Sequence, residues 1–148
     1  MGELATGGCQ CGRVRYAVAL DNDDAYLCHC RMCQRATGGV SIAFTNVSRS
    51  AVTWTTREPD RFHSSAIAER GYCRDCGTPL TFEYLKASEK LDLTVGSFDE
   101  PGRFRPTAHF GTESLHEAWL DTRSLPRQRS DEYAPLLERW KAADAKPG

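Results

Sequence analysis

The segment GGCQCGRVRYAVAL, residues 7–20, decides how this chain folds. Its first half sets Cys9 and Cys11 one residue apart, so an extended backbone projects both thiols from one face. Its second half alternates. Val14, Tyr16, Val18 and Leu20 fall on one side with Arg13 and Arg15 on the other, the period-two pattern of a half-buried strand. A thiol pair running straight into a strand predicts a β-framework organised around cysteine.

The same alternation recurs outward along the chain: Val40, Ile42 and Phe44; Val52 with Trp54; Leu80 with Phe82 and Tyr84; and Leu91, Leu93 and Val95. Turn-rich pieces separate these runs, among them DNDD (21–24), REPD (57–60) and DEPG (99–102). Many short strands without long helices between them predict a mainly β domain of antiparallel sheets. Two short helices are expected. One spans about Met32 to Thr37 and stops at Gly38-Gly39, where glycine caps readily. The other spans about residues 135–143, with Pro135 in its first turn and an apolar packing stripe of Leu136, Leu137 and Trp140. The tail KAADAKPG (141–148) is expected to fray.

At 148 residues the chain reads as a single domain over 1–148. Nineteen basic against twenty acidic side chains leave a net charge of −1. That balance steers the protein towards neither nucleic acid nor an anionic membrane. No run reaches the ~18 apolar residues of a membrane helix. The segment MGELATGGCQCGR lacks the apolar core of a secretory signal. The expectation is a cytoplasmic protein with reduced thiols; a homo-oligomer is compatible with the sequence.

Seven cysteines fall into Cys9-x-Cys11, Cys28-x-Cys30-x-x-Cys33 and Cys73-x-x-Cys76. Their odd number and clustering favour metal over disulfides in a reducing compartment. Zinc takes four ligands at about 2.3 Å from sulfur, closed in structural sites and left with an exchangeable position in catalytic ones. Seven therefore divides as four plus three. Spacing alone also allows Cys73 and Cys76 to complete the triplet, leaving Cys9 and Cys11 as spare thiols. His29 lies between two cysteines, and in an extended segment its ring points away from them. Besides an enzyme, two other classes fit: a module whose zinc is purely structural, and a thiol redox protein using Cys28, Cys30 and Cys33.

These motifs resemble the glutathione-dependent formaldehyde-activating enzyme (GFA, or centromere-protein-V) family. The resemblance runs through GGCQCGRVRY (7–16), CHCRMCQRATGG (28–39), YCRDCGTPLTF (72–82) and LTVGSFDEPGRFRPTAHF (93–110), and continues in WLDTRSLP (119–126). It covers about residues 7–127, with Tyr72 standing where phenylalanine is commoner. The resemblance implies the β-tent zinc fold. It also implies a structural zinc on Cys9, Cys11, Cys73 and Cys76, and a second, catalytic-type zinc on Cys28, Cys30 and Cys33. The implied activity is a carbon–sulfur lyase forming S-(hydroxymethyl)glutathione from glutathione and formaldehyde, both small-molecule partners.

Three thiolates on a dication leave a net negative charge and blunt its Lewis acidity. Such a site suits an incoming glutathione-like thiol, which a metal deprotonates, better than it suits hydrolysis. The thiolate would attack a small aldehyde while a general acid protonates the oxygen. His109, on the family's P-x-x-H position, is the expected proton-transfer residue. Arg31 and Arg35, flanking the triplet, and Arg74, in the other cysteine loop, are the candidates for glutathione's carboxylates.

Overall fold

The computed structural model describes residues 2–86 and 88–146, so the last two residues of the KAADAKPG tail lie outside the described residues. Ten strands run in chain order: β1 (Glu3–Gly8), β2 (Arg15–Leu20), β3 (Asp24–Cys28), β4 (Ile42–Ser48), β5 (Val52–Trp54), β6 (Asp60–His63), β7 (Ala68–Tyr72), β8 (Pro79–Tyr84), β9 (Lys90–Thr94) and β10 (Arg105–Phe110). Two helices accompany them, α1 (Arg31–Thr37) and α2 (Ala134–Ala142). The mainly β expectation holds, and both helices fall within a residue of their expected spans.

Residues Met1–His116 form one compact unit and Glu117–Gly148 a second. The first unit carries every strand. Its smaller sheet has the order β1-β2-β5, and its larger sheet the order β10-β3-β4-β9-β8-β7-β6. The alternation of residues 14–20 works as read: Tyr16, Val18 and Leu20 point inward from β2 and are at most 4% exposed. They share a core with Leu80, Leu91, Leu93, Phe98 and Phe104. Tyr16 meets Trp54 and Phe98 edge-on, and its hydroxyl bonds to Ser97 Oγ at 2.8 Å, which satisfies the polar tip of a buried ring.

The structure departs from the sequence reading in three ways. β10 pairs parallel with β3, making the larger sheet mixed rather than purely antiparallel. The chain crosses from β9, the central strand of that sheet, past β4 and β3 to its edge, and such a crossover connection allows a parallel partner. The Val40–Phe44 run begins as a turn: β4 starts only at Ile42, because Gly38 at φ 79° ends α1 in the left-handed region. Val95 leaves β9 for a 3-10 turn, Val95–Ser97, while keeping its place in the core. The second unit contains α2 and short 3-10 turns. No helix among the described residues is long and apolar enough to cross a membrane.

Candidate active site

Two tight loops bring the outer cysteines together. After β1, Gly12 N–H closes on Cys9 O and Cys9 N–H donates to Val14 O; after β7, Gly77 N–H closes on Cys73 O and Cys73 N–H donates to Thr78 O. The sulfurs of Cys9, Cys11, Cys73 and Cys76 all lie within 4.8 Å of one another. Cys9 to Cys11 is 3.5 Å and Cys11 to Cys73 is 3.7 Å. A tetrahedral zinc at about 2.3 Å from each sulfur separates its ligands by about 3.8 Å, so the donor set fits that ion. Val14 N–H points at Cys9 Sγ, the amide-to-sulfur contact that steadies a thiolate.

Cys28, Cys30 and Cys33 form a separate cluster, again with sulfurs within 4.8 Å. Cys28 ends β3, Cys30 caps α1 by accepting the Cys33 N–H at 3.3 Å, and Cys33 lies in the first turn. The helix is pinned from behind: Gln34 Nε2 donates to Val40 O and Ser114 O. Gly111 packs against the backbone of Cys30. It sits at φ 68°, and a Cβ there would come within 2.7 Å of Cys30 N. None of the seven cysteines is in a disulfide.

The three inner sulfurs are not equivalent. Cys28 donates to Cys33 Sγ at 3.4 Å, and Arg70 Nη2 donates to the same sulfur at 3.3 Å. Together the Cys28 bond and the Arg70 cation bring Cys33 down to about 5, despite its burial. Cys28 is pushed up, by that same bond and by burial. Arg70 is 5% exposed, lies 4.9 Å over the Phe82 ring, and its buried Nε has no hydrogen-bond partner among the described residues.

This cluster opens onto a cavity of about 620 Å³. Its polar lining among the described residues includes Arg70, Asp92, Asn46 and His109. Asp92, on β9, is raised above the ordinary carboxylate range by burial; Asn46 Nδ2 donates to it at 2.9 Å and the Tyr26 hydroxyl lies against it. His109, exposed on the edge strand β10, places Nδ1 2.8 Å from Nε2 of His29. His29, between Cys28 and Cys30, is buried at 1% and supports His109 through this bond.

The expected arginines stand elsewhere. Arg31 and Arg35 are exposed on α1, with Arg31 Nη1 bonded to Gln34 Oε1, and Arg74 is exposed in the four-cysteine loop, its N–H on Asp60. None of the three is among the cavity-lining residues. Sequence reading missed Arg70 and Asp92. Arg70, three residues before Cys73, carried no spacing signal, and Asp92 fell on what alternation made the outer face of β9.

The sequence model of the glutathione-dependent formaldehyde-activating enzyme family matches residues 4–114. A Schizosaccharomyces pombe protein named uncharacterized lyase C29B12.13 is 28% identical over 92 residues, which cover 62% of this chain and 66% of that protein. The chain thus spans just under two thirds of that relative's length. A crystal structure of a Rhodobacter sphaeroides protein superposes with a TM-score of 0.57 at 22% identity, covering 70% of this chain and 98% of the other, and shows the shared fold.

Proposed function

Since the chain belongs to the glutathione-dependent formaldehyde-activating enzyme family, we propose that it is a zinc-dependent carbon–sulfur lyase that joins a thiol to a small aldehyde, with glutathione and formaldehyde as the reference pair. One observation carries the reading: Cys28, Cys30 and Cys33 lie together in the wall of a cavity that also holds Asp92 and His109. Cys9, Cys11, Cys73 and Cys76 would hold a structural zinc, and the inner triad a second ion. That second zinc supplies a positive centre that favours a substrate thiolate over the thiol.

The bond chemistry is an addition. The sulfur electron pair forms the new S–C bond, the C=O π pair moves onto oxygen, and a proton reaches that oxygen; the reverse is the lyase direction. His109 is the group that moves this proton, its ring held in place by His29. Asp92, whose burial favours the protonated carboxyl, is a second proton store on the cavity wall. Arg70 holds Cys33 in its anionic form and offsets the surplus negative charge of three thiolates. The protein would work in the cytoplasm, where its thiols stay reduced.

The test is exchange spectroscopy. Zinc-loaded protein should accelerate formation and breakdown of the hemithioacetal of glutathione and formaldehyde, followed by NMR. A rate equal to that of the uncatalysed mixture would overturn the proposal for this pair.

A further inference from the structure

The cavity beside the inner triad is far larger than formaldehyde, and most of its surface is apolar. Met32, Phe44, Ile67, Phe82, Tyr84 and Phe110 form its walls. Four of these remain strongly exposed: Met32 48%, Ile67 65%, Tyr84 49% and Phe110 63%. Large apolar groups gathered around one concave opening mark a place where apolar surface is buried by a ligand. Here the opening leads to three sulfurs, so the ligand is one that brings a group to them.

The charges point the same way. Arg70, the cation in the lining, is already committed to Cys33 and almost fully buried. Asp92 offers no cation and is already bonded to Asn46 and Tyr26, and His109 spends Nδ1 on His29. Glutathione would carry its carboxylates into this cavity, and buried carboxylates need cationic or amide partners. Arg31, Arg35 and Arg74 are outside the lining.

From this juxtaposition of the cysteine triad with an aromatic and aliphatic wall, we infer that the thiol this site takes carries an uncharged, apolar body, aromatic or branched aliphatic, in place of glutathione's charged peptide. The inference rests on the reading above that a thiol binds at the triad, and it keeps the same bond chemistry. It changes which thiol is bound.

The experiment is calorimetric titration of the zinc-loaded protein with benzyl mercaptan and with glutathione. Benzyl mercaptan should bind at least about tenfold more tightly, the scale expected for burying one ring. The double variant Ile67→Ser/Phe110→Ser removes exposed wall groups and should keep the wild-type melting temperature. It should weaken benzyl mercaptan by about tenfold and glutathione by less than about threefold. Glutathione binding as tightly as benzyl mercaptan would overturn the inference. So would equal benzyl mercaptan affinity in the wild type and the variant, which would leave the sulfur as the sole anchor. Loss of self-association in the variant, with thiol preference unchanged, would also overturn it by making the patch an interface between copies. Formaldehyde exchange, measured with both thiols, separates the two proposals. Preference for benzyl mercaptan without accelerated exchange sinks the lyase reading and keeps the pocket, whereas accelerated exchange with glutathione and no preference does the reverse.

Discussion

Nδ1 of His109 stands 2.8 Å from Nε2 of His29, so a single hydrogen bond ties the edge strand β10 to the residue between Cys28 and Cys30. The two rings are 5.0 Å apart between centroids, and the main chain reinforces the link, His29 N–H donating to Phe110 O at 2.8 Å. One proton occupies the space between the facing nitrogens. The far nitrogen of His109 is then the one free to exchange a proton with a substrate.

That arrangement makes His109→Gln informative. Glutamine can still bond to His29, so melting temperature and zinc content should stay near wild type. Hemithioacetal exchange should fall by about 100-fold, the low end of the contribution of a positioned acid–base group. A variant that exchanges at the wild-type rate would remove His109 from the chemistry.

Metal content separates an enzyme from a purely structural zinc module. Protein purified without chelators should carry two zinc ions per chain, one for each cysteine cluster. Cys30→Ser should lose one ion and all exchange activity while keeping the fold, since serine can still cap α1. Cys73→Ser, at a fully buried position, should cost the other ion and the cooperative melt. One ion in wild-type protein, with three titratable thiols, would favour the structural module.

Gly111→Ala tests the close approach behind Cys30. Its φ of 68° costs an alanine about 1–2 kcal/mol. In addition, the new Cβ would press on Cys30 N at 2.7 Å. The expected result is a lower melting temperature together with a weakened second zinc, read by titration with a chromogenic chelator. Loss of stability with unchanged zinc affinity would show that Gly111 matters only for its backbone.

Glu83, 1% exposed, accepts from Arg61 Nε at 3.0 Å and Thr81 Oγ1 at 3.0 Å, and it also pairs with Arg49. Glu83→Ala should cost about 2 kcal/mol in denaturant unfolding, because Thr81 and both arginines lose a buried acceptor. Glu83→Gln, which retains hydrogen bonds, should cost about half as much.

Acid stability should carry the mark of Asp99. Hydrogen bonds from Arg15, at 2.9 and 2.5 Å, and from Thr6 hold it at about 2, below the value of an unfolded chain. The folded state therefore binds fewer protons. The stabilisation is complete above about pH 4 and is lost as pH falls through about 2. The pair is 33% and 45% exposed, so solvent limits it to about 1 kcal/mol or less. Asp99→Asn should lower stability at pH 7 by about 1 kcal/mol or less, flatten the acid limb of the stability curve between those values, and change little below about pH 2.

Much of the site could be read before folding because ligand spacing is local. Cys73 and Cys76 need only one tight loop to share an ion, and Cys28, Cys30 and Cys33 need only a strand end and the first turn of a helix. Alternation located β2, β4, β5, β8 and β9, whose inward side chains are large and apolar. It passed over β1, β3, β6, β7 and β10. In β10 all six residues are exposed, so burial imposed no period on them.

Arg70 and Asp92 show where local reading stops. β9 buries Leu91 and Leu93 in the core from one face and Asp92 against the cavity from the other. Period-two reasoning labels that second face as solvent, because it cannot see that β4, β8 and β10 wall off a hollow there. Likewise, nothing near residue 70 signals a sulfur: Cys33 lies 37 positions away on α1, and only the fold brings the Arg70 guanidinium of β7 to it. By itself the sequence determined the β-rich framework and the three local cysteine motifs, because strand period and ligand spacing are properties of neighbouring residues, whereas the fold joined Cys9 and Cys11 to Cys73 and Cys76. Only the tertiary structure decided that His109 leans on His29, that Arg70 faces Cys33, and that the triad opens onto an apolar cavity, because those contacts join strands far apart in the chain.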